Sequence, residues 1–183
     1  MTQIITHLAD IAPRYTAVFC DLWGCLHNGK EPFAAAVAAL RAFKAQGGTV
    51  LLLTNSPRPK PSVIAQLDRI GVPRDAWDEI VSSGDATQIA LAQGAIGPRV
   101  HHIGAAKDES FFTDYPADIA AQMQTVTRVP MDQADGILCT GLADDTVETP
   151  DDYRGKLLMG KTLGLTLLCA NPDLIVDLGE TRL

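Results

Sequence analysis

Asp21 closes a short apolar run, Thr16-Ala-Val-Phe-Cys-Asp21, and Thr54-Asn55-Ser56 follows a second one, Thr49-Val-Leu-Leu-Leu53. A carboxylate in such a position can bind Mg2+, and it can attack phosphorus to give an aspartyl phosphate. Thr54 and Asn55 offer a hydroxyl, an amide and backbone N–H groups to phosphoryl oxygens. A helix N-terminus just beyond them is a natural place for an anion. Taken singly, Asp21 also reads as a turn residue and Thr54-Asn55 as a loop cap. On the residues alone both readings stand.

The elements that must position these groups follow a simple alternation. The run ending at Asp21 reads as a buried strand that opens into a loop at Gly24 and Asn28-Gly29. Pro32 starts a helix, Phe33, Val37, Leu40 and Phe43 give its apolar face, and Gly47-Gly48 ends it. Thr49 to Leu53 is a second strand, and a proline-rich entry (Pro57, Pro59, Pro61) leads to a helix ending near Gly71. Glu79-Ile-Val-Ser82 is a third short strand, and Ser83-Gly84-Asp85 caps a helix through Leu91. Alternating strands and helices with continuous apolar strands predict a parallel α/β sheet. Ligands bind at the carboxyl ends of such strands, so both polar clusters would face one pocket. Further strands are predicted at Val100–Ile103, Thr125–Val129, Gly136–Cys139 and Leu165–Cys169, with a helix from Asp152 to Leu163 and a domain change near residues 84 to 98.

Composition narrows the function classes. The chain has 183 residues, 46% apolar and 20% charged, enough for one ordinary domain or two small ones. Aromatics are 5%, so aliphatic residues supply most of the core. The net charge is −7, the pI is about 4.9 and no basic run occurs, which argues against nucleic-acid or anionic-membrane partners. Residues 1–14 carry no signal pattern, and no apolar run is long enough to span a bilayer. Cys20, Cys139 and Cys169 lie in apolar runs and read as small buried hydrophobes; with Cys25 they form no C-x-x-C. The expectation is a reduced, soluble, cytoplasmic protein.

Phe19-Cys-Asp-Leu-Trp-Gly-Cys-Leu26 resembles the first motif of the haloacid dehalogenase superfamily, an apolar strand followed by D-x-D-G-x-hydrophobic. Leu51-Leu-Leu-Thr-Asn-Ser56 resembles its second motif. Thr54 to Arg58, Ser82-Ser-Gly-Asp-Ala-Thr87 and Leu167-Leu-Cys-Ala-Asn-Pro-Asp173 are similar to three ordered landmarks of its class IIA branch, the sugar-phosphate and p-nitrophenyl phosphatase-like proteins. The resemblance implies a Rossmann-like parallel-sheet core, incomplete at its C-terminal side, with an inserted α/β cap domain. Residues 1–85 would be the N-terminal part of the core, 86–172 the substrate-specificity cap, and 173–183 the start of the return to the core. It further implies a Mg2+-dependent phosphohydrolase of small phosphate esters. Asp21 would be the nucleophile and a Mg2+ ligand, the backbone carbonyl of Trp23 a second ligand, and Thr54 and Asn55 the phosphoryl holders. Asn171 and Asp173 would lie where the cap returns. The partner would be a small phosphorylated metabolite, with homo-oligomerisation left open.

Two departures stand out. The family's usual second aspartate, which protonates the leaving group and activates water, is Trp23 here. Indole exchanges no proton in this way, and that catalysis is worth about 10²–10⁴-fold. His27 is a nearby substitute candidate. Trp23 also prompts a rival enzyme reading, hydrolysis of a C–X bond at the same aspartate; a rival outside enzymology is a catalytically silent protein that binds phosphorylated ligands or partners through the cap. The second departure is that the family's third-motif lysine and fourth-motif acidic pair fall after the Asn-Pro-Asp landmark, about ten residues before the chain stops. The 183-residue chain is therefore expected to be inactive, with apolar surface uncovered around Val18, Cys20 and Leu51. Lys156 and Lys161 lie in the cap region and do not replace the missing lysine; Asp144-Asp145 reads as a solvated loop. His101 and His102 would point to opposite strand faces.

Overall fold

A computed structural model of the chain describes residues 4–172, 177–178 and 181–182. Two compact units divide it. One is built from the chain up to Thr54 together with Ile64–Val81, the other from Asn55–Val63 and the stretch that begins at Ser82.

In the first unit, β1 (Ala17–Asp21), α1 (Ala34–Ala45) and β2 (Thr49–Thr54) form a strand–helix–strand unit, and most of α2 (Lys60–Ile70) and of β3 (Glu79–Ser82) belongs to it as well. The sheet order is β1-β2-β3, and β1 and β2 run parallel with Phe19 opposite Leu51 and Asp21 opposite Leu53. Side chains alternate across this sheet as strand geometry requires. Val50, Leu52 and Ile80 are fully buried on one face, and α1, which packs against β2, buries Val37, Leu40 and Phe43. The opposite face is the more open one among the described residues: Phe19 is 70% exposed, Leu53 48% and Val81 40%. The exposed apolar surface thus centres on Phe19, Leu53 and Val81, whereas Val18, Cys20 and Leu51, the partner of Phe19, are half-buried. A two-residue antiparallel pair, β8 (Asp177–Leu178) and β9 (Thr181–Arg182), also belongs to this unit.

The second unit carries α3 (Ser83–Ala92), β4 (Arg99–Ile103), the single turns α4 (Ser110–Thr113) and α5 (Ala120–Met123), β5 (Thr127–Arg128), β6 (Gly136–Cys139), α6 (Arg154–Thr162) and β7 (Thr166–Cys169). Its four strands are parallel in the order β5-β4-β6-β7. Each face has its own cluster. Leu91, Ile96, Val100, Phe111, Met123 and Leu138 pack together on one, and Ile103, Met131, Ile137 and Tyr153 on the other. Phe111 is fully buried, and its carbonyl accepts a 2.8 Å bond from the buried Gln88 amide. Phe111→Ala is expected to cost about 3–5 kcal/mol and to lower the thermal midpoint by about 10 °C, measured by circular dichroism.

The elements differ from the sequence reading at their ends. α1 begins at Ala34, because Phe33 is extended and gives its N–H to the Leu26 carbonyl at 2.8 Å. The strand expected over Thr125–Val129 shrinks to two residues. Thr125 is held at the end of α5 instead, its N–H and hydroxyl both donating to Gln122 O. α6 begins at Arg154, after a 3-10 turn over Pro150–Tyr153. Cys169 is exposed, against expectation, because β7 is an edge strand with no neighbour beyond it among the described residues.

Candidate active site

Asp21 is the last residue of β1 and is exposed to solvent; its Oδ1 accepts the Leu22 N–H at 2.8 Å. The loop that follows is pinned by two apolar anchors. Leu22 is 2% exposed and Leu26 fully buried, and the Leu22 carbonyl accepts the N–H groups of Leu26 at 2.8 Å and His27 at 3.1 Å. Gly24 sits between them at φ +73°, a backbone that side-chain-bearing residues adopt only at a cost of about 1–2 kcal/mol. Trp23 is thereby held beside Asp21, half-buried, with its ring edge-on to His27 at 5.2 Å and 71°.

His27 itself is buried, and its Nδ1 accepts the Gly29 N–H at 3.0 Å, which puts the ring proton on Nε2. That Nε2 has no hydrogen-bond partner among the described residues. Burial pushes the His27 pKa below the usual imidazole value, more than the charge of Asp21 raises it. The ring is therefore neutral at pH 7 and serves as packing for Trp23 rather than as a solvent-facing acid. Burial also drives the Cys20 thiol up to about 11, with Cys25 and Asp21 adding to the effect. Cys20 stays protonated near neutral pH and does not compete with Asp21 as a nucleophile.

Thr54 ends β2 and is buried. Since Asp21 pairs with Leu53, Thr54 stands one residue past the Asp21 partner, at the same carboxyl end of the adjacent strand. Asn55 follows Thr54 directly and opens the segment that clusters with the second unit.

Within that second unit, the segment after Asn55 is tied to the start of α3. Ser82 is the N-cap of α3, one residue earlier than the sequence suggests, and forms a capping box with Asp85. The Ser82 hydroxyl lies 2.8 Å from both the Arg58 carbonyl and Asp85 Oδ2, and accepts the Asp85 N–H at 3.1 Å. Asp85 Oδ1 takes the Lys60 N–H at 2.8 Å, and Gly84 N–H donates to the Ser56 carbonyl at 3.0 Å. One N–H at the start of α2 is thus already satisfied by a carboxylate. A Cβ on Gly84 would run into the Arg58 carbonyl and lie 2.6 Å from that of Pro57. Gly84→Ala must push backbone away from backbone, at an expected cost of about 1–3 kcal/mol, readable as a lowered urea midpoint.

The remaining sequence-picked residues fall elsewhere. The Asn171 carbonyl accepts the Cys169 thiol at 3.1 Å at the end of β7, while Asp173 lies outside the described residues. Asp144 holds the Thr146 N–H and hydroxyl, and Asp145 pairs with Lys107 at 3.3 Å, as a solvated loop would. Lys156 lies over the Tyr153 ring at 5.0 Å. His101 bonds Val129 O and His102 bonds Thr140, so the two rings do serve different partners.

The sequence reading overlooked one polar trio at the carboxyl ends of β4 and β6, in which Asp108 and Thr140 are buried and His102 is half-buried. Thr140 Oγ1 donates to Asp108 Oδ2 at 2.7 Å and lies 2.9 Å from His102 Nε2, and Asp108 also accepts the Ala105 N–H at 3.2 Å. Its members are partnered to one another, and burial holds the His102 pKa below the usual range. It staples two strand ends together. No group of three or more His, Cys, Asp or Glu side chains suited to a metal ion occurs among the described residues.

A family model described as haloacid dehalogenase-like hydrolase matches residues 18–117. Among solved structures, a haloacid dehalogenase-like hydrolase from Brucella suis 1330 is 42% identical, with a TM-score of 0.88 over 98% of this chain and 65% of that one. A possible sugar phosphatase of the same superfamily from Cytophaga hutchinsonii is 18% identical, with a TM-score of 0.72 over 98% of this chain and 63% of that one. Glycerol phosphate phosphatase from Mycobacterium tuberculosis in complex with magnesium is 22% identical, with a TM-score of 0.64 over 94% and 49%. The chain thus spans less than two thirds of each of these proteins. No curated protein matches it. Among the described residues, no helix is long and apolar enough to cross a membrane.

Proposed function

Because the chain belongs to the haloacid dehalogenase-like hydrolase family, we propose that the full-length protein hydrolyses small phosphate esters through an aspartyl phosphate on Asp21. The observation that carries this reading is the register: Asp21 and Thr54 end neighbouring parallel strands at the same edge of one sheet. The likeness to a magnesium-bound glycerol phosphate phosphatase and to a possible sugar phosphatase supports small phosphorylated metabolites as the substrate class.

In this reading the Leu22 N–H holds Asp21 Oδ1 at 2.8 Å, and Oδ2 attacks phosphorus. The ester P–O bond breaks, and the leaving oxygen takes its proton from water, because the indole N–H of Trp23 is far too weak an acid to supply one. Water then attacks phosphorus, releasing phosphate and restoring the Asp21 carboxylate. Thr54 and Asn55 bind the phosphoryl oxygens. Asp21 and the Trp23 carbonyl would hold Mg2+, a hard cation that takes oxygen donors from few protein groups, which suits the solvent-exposed Asp21 carboxylate at the end of β1. The bound ion would neutralise charge on the transferring group. We assign residues 86–172 to the cap that selects substrate, with Asn171 and Asp173 at its return, a role consistent with a second unit that has its own parallel sheet and two clusters.

The test is a panel of p-nitrophenyl phosphate, glycerol and sugar phosphates, and haloacids, with and without Mg2+. Mg2+-dependent phosphate release is the expected result. Halide release without phosphatase activity would replace this reading with C–X hydrolysis, and binding without turnover would make the protein a phospho-ligand receptor.

A further inference from the structure

We propose that Cys139 and Cys169 are a thiol pair that closes reversibly into a disulfide across β6 and β7. The two residues are direct partners in the parallel ladder, so they share one face of the sheet. Adjacent strands lie about 4.7–4.9 Å apart, inside the Cα range of about 4.4–6.8 Å that a disulfide spans. Burial first, and then the neighbouring Cys169, raise the Cys139 thiol above its ordinary pKa, as the pairing of the two residues across the strands leads one to expect. Access is asymmetric: Cys169 is exposed on the edge strand, and Cys139 is half-buried beside Ile137 and Leu142.

That asymmetry sets the order of events with a low-molecular-weight disulfide such as oxidised glutathione. Cys169 Sγ attacks one glutathione sulfur, the glutathione S–S bond breaks, and one glutathione leaves as the thiol. Cys139 Sγ then attacks Cys169 Sγ, and the second glutathione leaves. The two cysteines are oxidised, the glutathione disulfide is reduced, and the two thiol protons depart with the two glutathiones. Burial holds the Cys139 thiol above its ordinary pKa, so the second step is the slower one and quickens as pH rises.

Closure has a local consequence. The Cys169 thiol now donates to the Asn171 carbonyl at 3.1 Å, and a disulfide removes that donor one residue before Pro172. The oxidised form therefore alters the chain where it leaves β7.

The experiment treats the purified protein with oxidised glutathione, blocks free thiols and maps peptides without reduction. The expected result is a loss of two hydrogens in intact mass, a Cys139–Cys169 linked peptide pair, and reversal by dithiothreitol. Cys139→Ser should stop at a glutathione adduct on Cys169, and Cys169→Ser should yield neither adduct nor bridge at Cys139. A wild-type protein that accumulates the Cys169 adduct without a bridge would overturn the proposal, as would a bridge joining only Cys20 and Cys25.

Discussion

Asp21→Asn in the full-length protein is expected to lower Mg2+-dependent turnover of p-nitrophenyl phosphate by about 10⁴-fold or more. The substitution is nearly isosteric, and the amide oxygen still accepts the Leu22 N–H that Oδ1 accepts now at 2.8 Å. Leu22 and Leu26 stay buried and the loop keeps its anchors. What disappears is the negative charge and the nucleophilic oxygen together. Circular dichroism should therefore report an unchanged fold, and beryllium fluoride, which traps such carboxylates, should lose its inhibitory grip. Retained activity in Asp21→Asn, with contaminating phosphatase excluded, would remove Asp21 from the nucleophile role.

Trp23→Asp carries the second large effect, in the opposite direction. Turnover of glycerol phosphate should rise by about 10²–10⁴-fold, and that of p-nitrophenyl phosphate much less. An alkoxide leaving group needs a proton as the P–O bond breaks, whereas nitrophenolate departs without one. His27 does not fill the gap, because it is buried, neutral near pH 7 and packed against the Trp23 ring. Removing the indole uncovers His27, so stability is measured first. Equal gains on both esters would show that position 23 does not protonate the leaving group.

Much of the first unit was legible from apolar runs and glycines. The strands ending at Asp21 and Thr54 were readable because both are continuous apolar segments stopped by polar residues. Their adjacency followed from the single intervening helix, and the parallel register bears it out. What was not legible depends on partners distant in sequence. Cys169 sits in an apolar run, yet it is exposed because β7 has a neighbour on one side only among the described residues. No local pattern encodes which strand is last. A cap near Ser83-Gly84-Asp85 was readable, but the N-cap is Ser82, and its bond to Arg58 O and that of Asp85 to Lys60 N cross about 25 positions and are invisible to any window. His27 looked like a loop histidine; its burial comes from the neighbouring anchors Leu22 and Leu26.

The tie between Ser82–Asp85 and the Ser56–Lys60 backbone means that this segment is not a free variable for anyone redesigning the protein. A library that randomises positions 56–60 while holding Gly84 fixed samples only backbones that leave room for a bare Cα. A library that varies position 84 alone returns little beyond glycine. The productive search changes both stretches at once, and double-mutant cycles between them should show coupling well outside additivity.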